Sequence, residues 1–301
     1  MRADETGSAR RTELREDRGY YAGLRGVRHA GRRGMLAVAV VLAAYFALAG
    51  AGSALVIPTV ESAGFPGART PLSLLMIALM LPVVWGTQRL VFGVPGRWLH
   101  SVSGRFRARL ARTAALVTVP AFGIVIGTDW LMEGAPAFAP IAPSSLLALL
   151  LGILVAPFQA AAEEYMFRGL IGRSVATWFH PAFVGTAMSM VVTTILFASF
   201  HGTADPWRLA FYAVFGACAS LMTWRSGGVE AAVVMHTVNN IAALVGMIGD
   251  GGAPGSSDQT GPGSPRLLVA MAACAVVTGV VWWASTRAAR RGTPSRAETT
   301  P

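Results

Sequence analysis

Residues 145–169 read SLLALLLGILVAPFQAAAEEYMFRG, a long apolar run that ends in two adjacent glutamates and an arginine. About 20 helical residues cross the ~30 Å hydrocarbon core of a bilayer, so this run is long enough to span it. It lacks the two-residue alternation of a barrel strand, and a lipid-facing backbone must satisfy its own hydrogen bonds. The stretch therefore predicts a transmembrane helix with ionisable groups, which are costly in a membrane and point to function.

The rest of the chain repeats this pattern. Hydrophobic residues make up 53% of the 301 residues and mean hydropathy is +0.52. Charged residues make up 13%, against about 25% in soluble domains. Apolar runs bounded by proline and glycine predict eight spans, at about 35–57, 72–93, 113–132, 145–170, 182–200, 207–224, 229–248 and 267–286. We predict an all-α fold, a polytopic membrane helix bundle of about eight transmembrane helices, with Pro157 favouring a break in the fourth.

The polar ends of the chain lie outside this bundle. Residues 1–34 are rich in arginine and hold too little apolar surface to fold alone, which predicts a disordered cytoplasmic tail. The apolar run that follows exceeds the roughly 7–15 residues of a signal-peptide core, so we expect it to remain as a span. The transmembrane domain then covers residues 35–286, and residues 287–301 form a second cytoplasmic tail.

The arginines give the expected orientation, because positively charged loops stay in the cytoplasm. Every basic residue is an arginine, and with an inner N-terminus twenty-one of the 25 fall on the inner side. Arg69, Arg208 and Arg266 fall on the outer side, and Arg89 lies at the inner end of the second span. Both termini are therefore predicted to be cytoplasmic. The net charge of +10 is an orientation signal and a contact for the lipid bilayer, so no nucleic-acid partner is expected.

Two cysteines and a few polar side chains lie within the predicted spans. Cys218 and Cys274 lie in the middle of apolar runs and are expected to be buried thiols without a disulfide. Each ionisable group in a span requires an explanation, because insertion costs roughly 2.5–3.5 kcal/mol. The candidate site set, with one amide included, is Glu163, Glu164, Arg168, His201, His236 and Asn240.

The first cluster combines a paired and an unpaired carboxylate. Glu164 precedes Arg168 by four residues, which is the favourable order for a helical ion pair. Glu163 points about 100° away from that pair and is free to act as a base. The alternative is that both carboxylates hold structural arginine contacts between helices.

Two further clusters lie on later spans. Phe197 and His201 share one helical face, as do His236 and Asn240, because each pair is four residues apart. A lone histidine or asparagine in a span more often bonds neighbouring helices than binds a ligand, so each cluster alone is a weak signal.

Relative depth connects the three clusters. The turn after the fourth span lies midway between Glu163 and His201, so antiparallel neighbours place these two residues at the same height. His236 lies about ten residues beyond the turn at 226–228, or about 15 Å deep. Glu163 reaches the same depth if the membrane edge falls near Arg173. The clusters are thus expected to meet, with the alternative for His201 that it lies at the outer membrane interface.

These residues resemble the pattern of the CPBP intramembrane protease family, also called the ABI or CAAX-protease-like family. The pattern is Glu-Glu-x-x-x-Arg, then Phe-x-x-x-His, then His-x-x-x-Asn or Asp, on successive hydrophobic helices. The matching residues, in that order, are Glu163, Glu164 and Arg168, then Phe197 and His201, then His236 and Asn240. The resemblance covers about residues 145–248, and no motif position departs from the pattern.

The resemblance implies an intramembrane endopeptidase that hydrolyses a peptide bond of a membrane-associated protein or peptide. By this analogy, Glu163 and His201 activate the attacking water. His236 and Asn240 bind the substrate carbonyl as it becomes an oxyanion. A base, a water and oxyanion donors are also what peptide hydrolysis requires on chemical grounds.

The same resemblance does not decide whether the site binds a metal ion. Glu164 and Arg168 take supporting roles, and the family is commonly labelled a metalloprotease. Glu163, His201 and His236 could serve as the ligands of a divalent metal such as zinc, with water in the fourth place. No His-Glu-x-x-His helix is present, and a metal-free mechanism fits the same residues.

Two other functions remain as alternatives. In a non-catalytic binding, immunity or scaffold protein, the polar cluster would only dock partner helices. In a transporter, the carboxylates would mark an ion path, although the sequence shows neither repeats nor paired interrupted helices. The alanine- and glycine-rich, lysine-free composition indicates a bacterial protein, and hence the plasma membrane, where prenylated CAAX substrates are not expected.

Overall fold

The structure is a computed structural model that describes residues 19–65, 67–133, 142–249 and 263–292. Across these residues it contains helices and no strand. The eight long helices, in chain order, are α1 (Ala30–Ser62), α2 (Arg69–Phe92), α3 (Ala108–Glu133), α4 (Pro143–Ala176), α5 (Ala182–Phe200), α6 (Pro206–Ser226), α7 (Glu230–Gly249) and α8 (Leu267–Gly292). The predicted all-α polytopic bundle is therefore confirmed.

Each predicted span lies within one of these helices to within a few residues. Within the described residues, six helices are long and apolar enough to cross a membrane, namely α1, α2, α3, α4, α5 and α8. The chain is thus an integral, multi-pass membrane protein. The crossings of α6 and α7, and the cytoplasmic placement of both termini, stay predictions.

The fourth helix continues through Pro157 without the predicted break. Its irregularity comes later, because residues Tyr165–Ile171 form a π-helical turn before the helix resumes at Gly172. A π-helical turn adds a residue to the helical repeat and is often found at functional sites. Here it follows directly after Glu163 and Glu164.

Helix α4 is the centre of the fold. Its first half packs against α2 and α7, and its end packs against α1 and α5. Helix α6 in turn packs against α5, α7 and α8, while α3 closes the bundle against α7 and α8. Every residue from Ala162 to Ala176 is buried, so side chains on this part of α4 are held on all sides.

The loop between α2 and α3 is fastened to the start of α7. Arg107 makes two side-chain hydrogen bonds to Glu230, of 2.8 and 2.7 Å, and a third to the carbonyl of Ser226 at 2.6 Å. Its backbone N–H also bonds Glu230 at 3.0 Å. Glu230 is the first residue of α7, and a carboxylate is favoured at a helix N-terminus.

Residues 19–34 differ from the predicted disordered tail. Tyr21–Leu24 form a 3₁₀ turn, α1 begins at Ala30, and the side chains of Tyr20, Tyr21 and Leu24 are buried in the bundle. The composition argument fails here because it counted only the apolar surface of the segment itself, which is small, and not the surface that the bundle offers it. Residues 1–18 lie outside the described residues, as do residues 293–301 of the second tail.

Candidate active site

A buried ion pair lies at the π-helical turn of α4. Arg168 Nη1 donates to Glu164 Oε1 at 3.0 Å, and neither side chain is exposed. Arg168 Nη2 donates to the carbonyl of Gly216 on α6 at 3.0 Å. The guanidinium also lies over the ring of Phe197 on α5, 4.7 Å from its centroid. The pairing expected from the sequence is present, and it joins three helices.

His236 of α7 lies between the two adjacent glutamates. Its Nδ1 is 2.9 Å from Glu164 Oε1, and its Nε2 is 3.6 Å from Glu163 Oε2. An ionised carboxylate accepts hydrogen bonds and does not donate them, so Nδ1 carries a hydrogen and donates it to Glu164. This bond turns Nε2 toward Glu163, as an orienting carboxylate does for a catalytic imidazole.

A second polar layer lies one helical turn away. Asn240 Nδ2 donates to Gln159 Oε1 of α4 at 2.6 Å, and Asn240 Oδ1 accepts from Asn239 Nδ2 at 3.1 Å. Gln159 and Glu163 are four residues apart on α4, as are His236 and Asn240 on α7, so each pair shares a face. The two helices therefore face each other through two polar side chains each, in antiparallel register.

His201 ends α5 beside this site. Its Nδ1 donates to the carbonyl of Phe197 at 2.7 Å, and its ring stacks on Tyr212 with centroids 3.7 Å apart. Because Nδ1 carries the hydrogen, Nε2 of the neutral ring is a free acceptor. The Phe197 ring lies between the two histidines, 4.7 Å from the His201 ring and 5.6 Å from the His236 ring.

The register of α4 and α5 agrees with the predicted heights. Phe167 of α4 meets Phe197 and Phe200 of α5, with ring centroids 5.7 and 5.4 Å apart. Glu163 is four residues before Phe167 and His201 is four residues after Phe197. In antiparallel helices these steps are equal, about 6 Å each, so Glu163 and His201 lie at the same level.

The metal ligands suggested by the resemblance do not form a metal site as they are placed. Within the described part of the chain, no three His, Cys, Asp or Glu side chains form a group that could hold a metal ion. His201 turns its Nδ1 to its own helix, and His236 gives its Nδ1 to Glu164. The contact of Glu163 with His236 supplies two donors of the three that a catalytic zinc site uses.

Residues 142–242 match a family model described as type II CAAX prenyl endopeptidase Rce1-like. This segment is similar to that family and is here named the Rce1-like segment. It contains α4, α5, α6 and the part of α7 that carries His236 and Asn240, so every predicted site residue lies within it. No curated protein and no solved structure matches the chain.

Within the Rce1-like segment, direct contacts join Arg168, Glu164, His236 and Glu163. His201 instead contacts Phe197 and Tyr212, and Asn240 contacts Gln159 and Asn239. The segment also contains polar groups that the sequence analysis did not select. Gln159 is the partner of Asn240, and the signal for it was available, because a glutamine four residues before Glu163 is another polar group within an apolar run. Tyr212 contacts His201, and its ring gave no such signal since aromatic residues are common in spans.

Proposed function

We propose that the chain is an endopeptidase of the bacterial plasma membrane that hydrolyses a peptide bond of a membrane-associated protein or peptide. One observation carries the proposal. Within the Rce1-like segment, an imidazole oriented by one buried carboxylate faces a second carboxylate across 3.6 Å. A base and an oriented imidazole, buried beside each other, are the groups that peptide hydrolysis needs.

The proposed reaction begins at Glu163. Its carboxylate accepts a proton from a water molecule, whose oxygen attacks the carbonyl carbon of the substrate. His201 supports this step through its free Nε2, which accepts a second hydrogen bond from the same water. The proton taken up is then delivered to the departing amine, so the products are a carboxylic acid and an amine and the protons balance.

Helix α7 supplies the proposed oxyanion site. His236 and Asn240 share one face of this helix, and the second hydrogen on Asn240 Nδ2 remains after the bond to Gln159. Because the Nδ1 hydrogen of His236 is bonded to Glu164, His236 donates to the oxyanion from Nε2 only as the imidazolium. Donors aimed at the developing negative charge act most strongly where water is excluded. Glu164 and Arg168 take the supporting role of holding the His236 ring at the correct angle.

A second candidate function is a non-catalytic binding, immunity or scaffold protein. One observation favours it, since both polar atoms of the Asn240 amide are already bonded within the chain. In that case the polar layer of α4 and α7 serves to join helices, and Glu163 carries no chemistry.

Cleavage of a quenched peptide library tests the proposal. The purified full chain in liposomes is compared with Glu163→Gln, which keeps the shape of the side chain but removes the base. Glu61→Gln is the matched control, because Glu61 is a partly exposed glutamate in another helix. We expect cleavage by the unchanged chain and by Glu61→Gln, and a loss of at least about 100-fold in Glu163→Gln.

Two further arms of the same assay decide the finer points. A strong chelator tests for a divalent metal such as zinc, and we expect cleavage to persist because the suggested ligands are not grouped. Prenylated and unmodified versions of each peptide define the substrate class. If Glu163→Gln retains the biological activity of the chain, the peptidase proposal fails and the binding function replaces it.

A further inference from the structure

The segment of residues 20–25, here named the N-terminal wedge, is inserted between α4, α6 and the loop that joins α2 to α3. Tyr20 donates its hydroxyl hydrogen to the carbonyl of Leu99 at 2.6 Å. Tyr21 donates to the carbonyl of Ser220 on α6, with 3.4 Å between the oxygens. Arg25 donates to the carbonyl of Ala176, the last residue of α4, and to that of Phe179 in the turn that follows.

Glycines on both sides allow this close packing. A Cβ at Gly172 of α4 would lie 2.8 Å from the Tyr21 ring, and a Cβ at Gly23 would lie 2.5 Å from Arg173 Nη2. Contacts under 3.0 Å are essentially never seen for real Cβ atoms. The wedge therefore fits against α4 only because glycine occupies position 172, directly after the π-helical turn.

Tyr21 is also close to the charges of the candidate site. The charges of both Arg168 and Glu164 act on its phenol. Burial raises the pKa of the Tyr21 phenol, so it remains a neutral hydrogen-bond donor at pH 7. Tyr21 packs against Gly172, at the end of the π-helical turn that contains Arg168, and from Arg168 direct contacts run to Glu164 and on to Nδ1 of His236.

We propose that the N-terminal wedge is a positioning element, in which the Tyr21 ring holds the π-helical turn of α4 so that Arg168 and Glu164 orient His236. This inference rests on the proposed function, since it assigns the wedge a role in that site. Tyr21 lies on the far side of the ion pair from Glu163 and acts through other residues, so it is not itself a catalytic residue.

The π-helical turn of α4 is the part of the site that the wedge supports. A π-helical turn is less regular than an α-helix and needs support from its surroundings. Tyr21 and Tyr20 fill the space beside Gly172 and Gly169, where α4 has no side chains of its own. Without the wedge the turn can relax, and a shift of about 1 Å at a catalytic group lowers the rate by about 100-fold.

Four variants of the full chain test this contact by their cleavage rates. Tyr21→Ala removes the ring and is expected to lower kcat by about 10- to 100-fold with KM unchanged. Tyr21→Phe keeps the ring and is expected to restore most of the rate. Gly172→Ala crowds the ring and should also lower kcat. Combining Tyr21→Ala with Gly172→Ala should recover part of the loss, because the new methyl group occupies space that the ring has left.

A measurement independent of cleavage distinguishes this inference from the proposed function. The imidazole nitrogens of ¹⁵N-histidine-labelled protein in nanodiscs are observed by NMR, with His236 assigned from the spectrum of His236→Gln. We expect the Nδ1 signal of His236 to move in Tyr21→Ala and to return in Tyr21→Phe. Val277→Ala, a buried truncation in α8, is the control and should leave the signal in place.

Each outcome decides one of the two ideas. If Tyr21→Ala folds and the His236 signal is unchanged, the positioning role of the wedge is overturned even if the chain is a peptidase. If Val277→Ala moves the signal as far as Tyr21→Ala does, the effect is general loosening and the inference also fails. If the His236 signal moves in Tyr21→Ala but no peptide is cleaved by the unchanged chain, the positioning role of the wedge is supported and the peptidase proposal is rejected.

Discussion

Two ion pairs in this chain have the same chemistry and opposite surroundings. Glu164 and Arg168 are fully buried, whereas Glu61 and Arg69 pair at 3.3 Å with 27% and 44% of their side chains exposed. Water screens an exposed pair and solvates each partner after separation, so such a pair contributes little. Removal of one partner from a buried pair leaves a charge that nothing solvates.

Neutralising the two arginines should therefore give very different results. We expect Arg168→Met to lower the free energy of unfolding by about 3–5 kcal/mol, and Arg69→Gln to change it by less than about 1 kcal/mol. Thermal unfolding of both variants in the same detergent measures the difference. Equal losses of unfolding free energy in the two variants would show that the bond from His236 is sufficient to compensate the charge of Glu164.

The sequence predicts an ion pair within one helix better than it predicts a hydrogen bond between two helices. The spacing of Glu164 and Arg168 within one helix was sufficient to predict their bond. The bond between His236 and Glu164 joins residues 72 positions apart, and it depends on how far α7 rotates about its own axis. Depth arithmetic placed these residues at one level but could not choose which glutamate takes Nδ1.

Helix ends in this bundle follow the local rules. Asp205 caps α6 by accepting the backbone N–H of Arg208 at 2.9 Å, and Pro206 occupies the first turn, where its missing N–H is not needed. Asp205 also accepts the backbone N–H of Gly263 at 3.0 Å. One carboxylate thus ties the start of α6 to the segment that precedes α8.

The two hydrogen bonds that Asp205 accepts should depend on pH. The hydrogen bond from Arg208 holds the pKa of Asp205 below its usual range, so the bonds are complete above about pH 4. They weaken as the pH falls through the lower pKa of the folded protein, because a protonated carboxyl accepts less well. We expect the amide proton shift of Gly263, followed by NMR from pH 7 to pH 3, to titrate in this acid range.

The control for this titration is Asp205→Asn. Asparagine still caps a helix, but it has one oxygen to share and no charge to lose. Its Gly263 amide shift should therefore lie near the acid value of the unchanged chain and stay flat. A titration of the same size in Asp205→Asn would assign the effect to another group.

Two elements could not be predicted from the sequence, for different reasons. The π-helical turn at 165–171 has no local sequence signal, and the contacts made within it reach other helices, as the bond from Arg168 to the Gly216 carbonyl does. The N-terminal wedge has too little apolar surface to fold alone and is ordered only by its binding surface. Apolar periodicity is a property of one segment, so it carries no information about such contacts.

At the scale of the whole molecule, helix positions and helix orientation rest on different physics. The eight apolar runs fix where the helices lie, because each hydrogen-bonded backbone must be shielded by its own side chains. Orientation is decided by arginine placement during insertion, and the packed coordinates are the same for either direction. Helices α6 and α7 carry the polar residues Arg208 and Arg225, and His236, Asn239 and Asn240, so their crossing depends on the neighbours that cover them.

Cysteine labelling in intact cells tests orientation and both crossings together. The native cysteines, Cys218 and Cys274, are buried, so replacing each with alanine gives a background without thiols. Single cysteines are then placed at Arg105, Thr203 and Arg225, and a thiol reagent that cannot cross the membrane is added from outside. We expect rapid labelling at Thr203→Cys, and labelling at Arg105→Cys and Arg225→Cys only after the cells are opened. Arg105→Cys and Arg225→Cys should respond alike, because Arg107 bonds the Ser226 carbonyl and holds the α2–α3 loop beside the turn between α6 and α7. If both are labelled from outside while Thr203→Cys is protected, the bundle is inserted in the opposite orientation and both termini lie outside the cytoplasm.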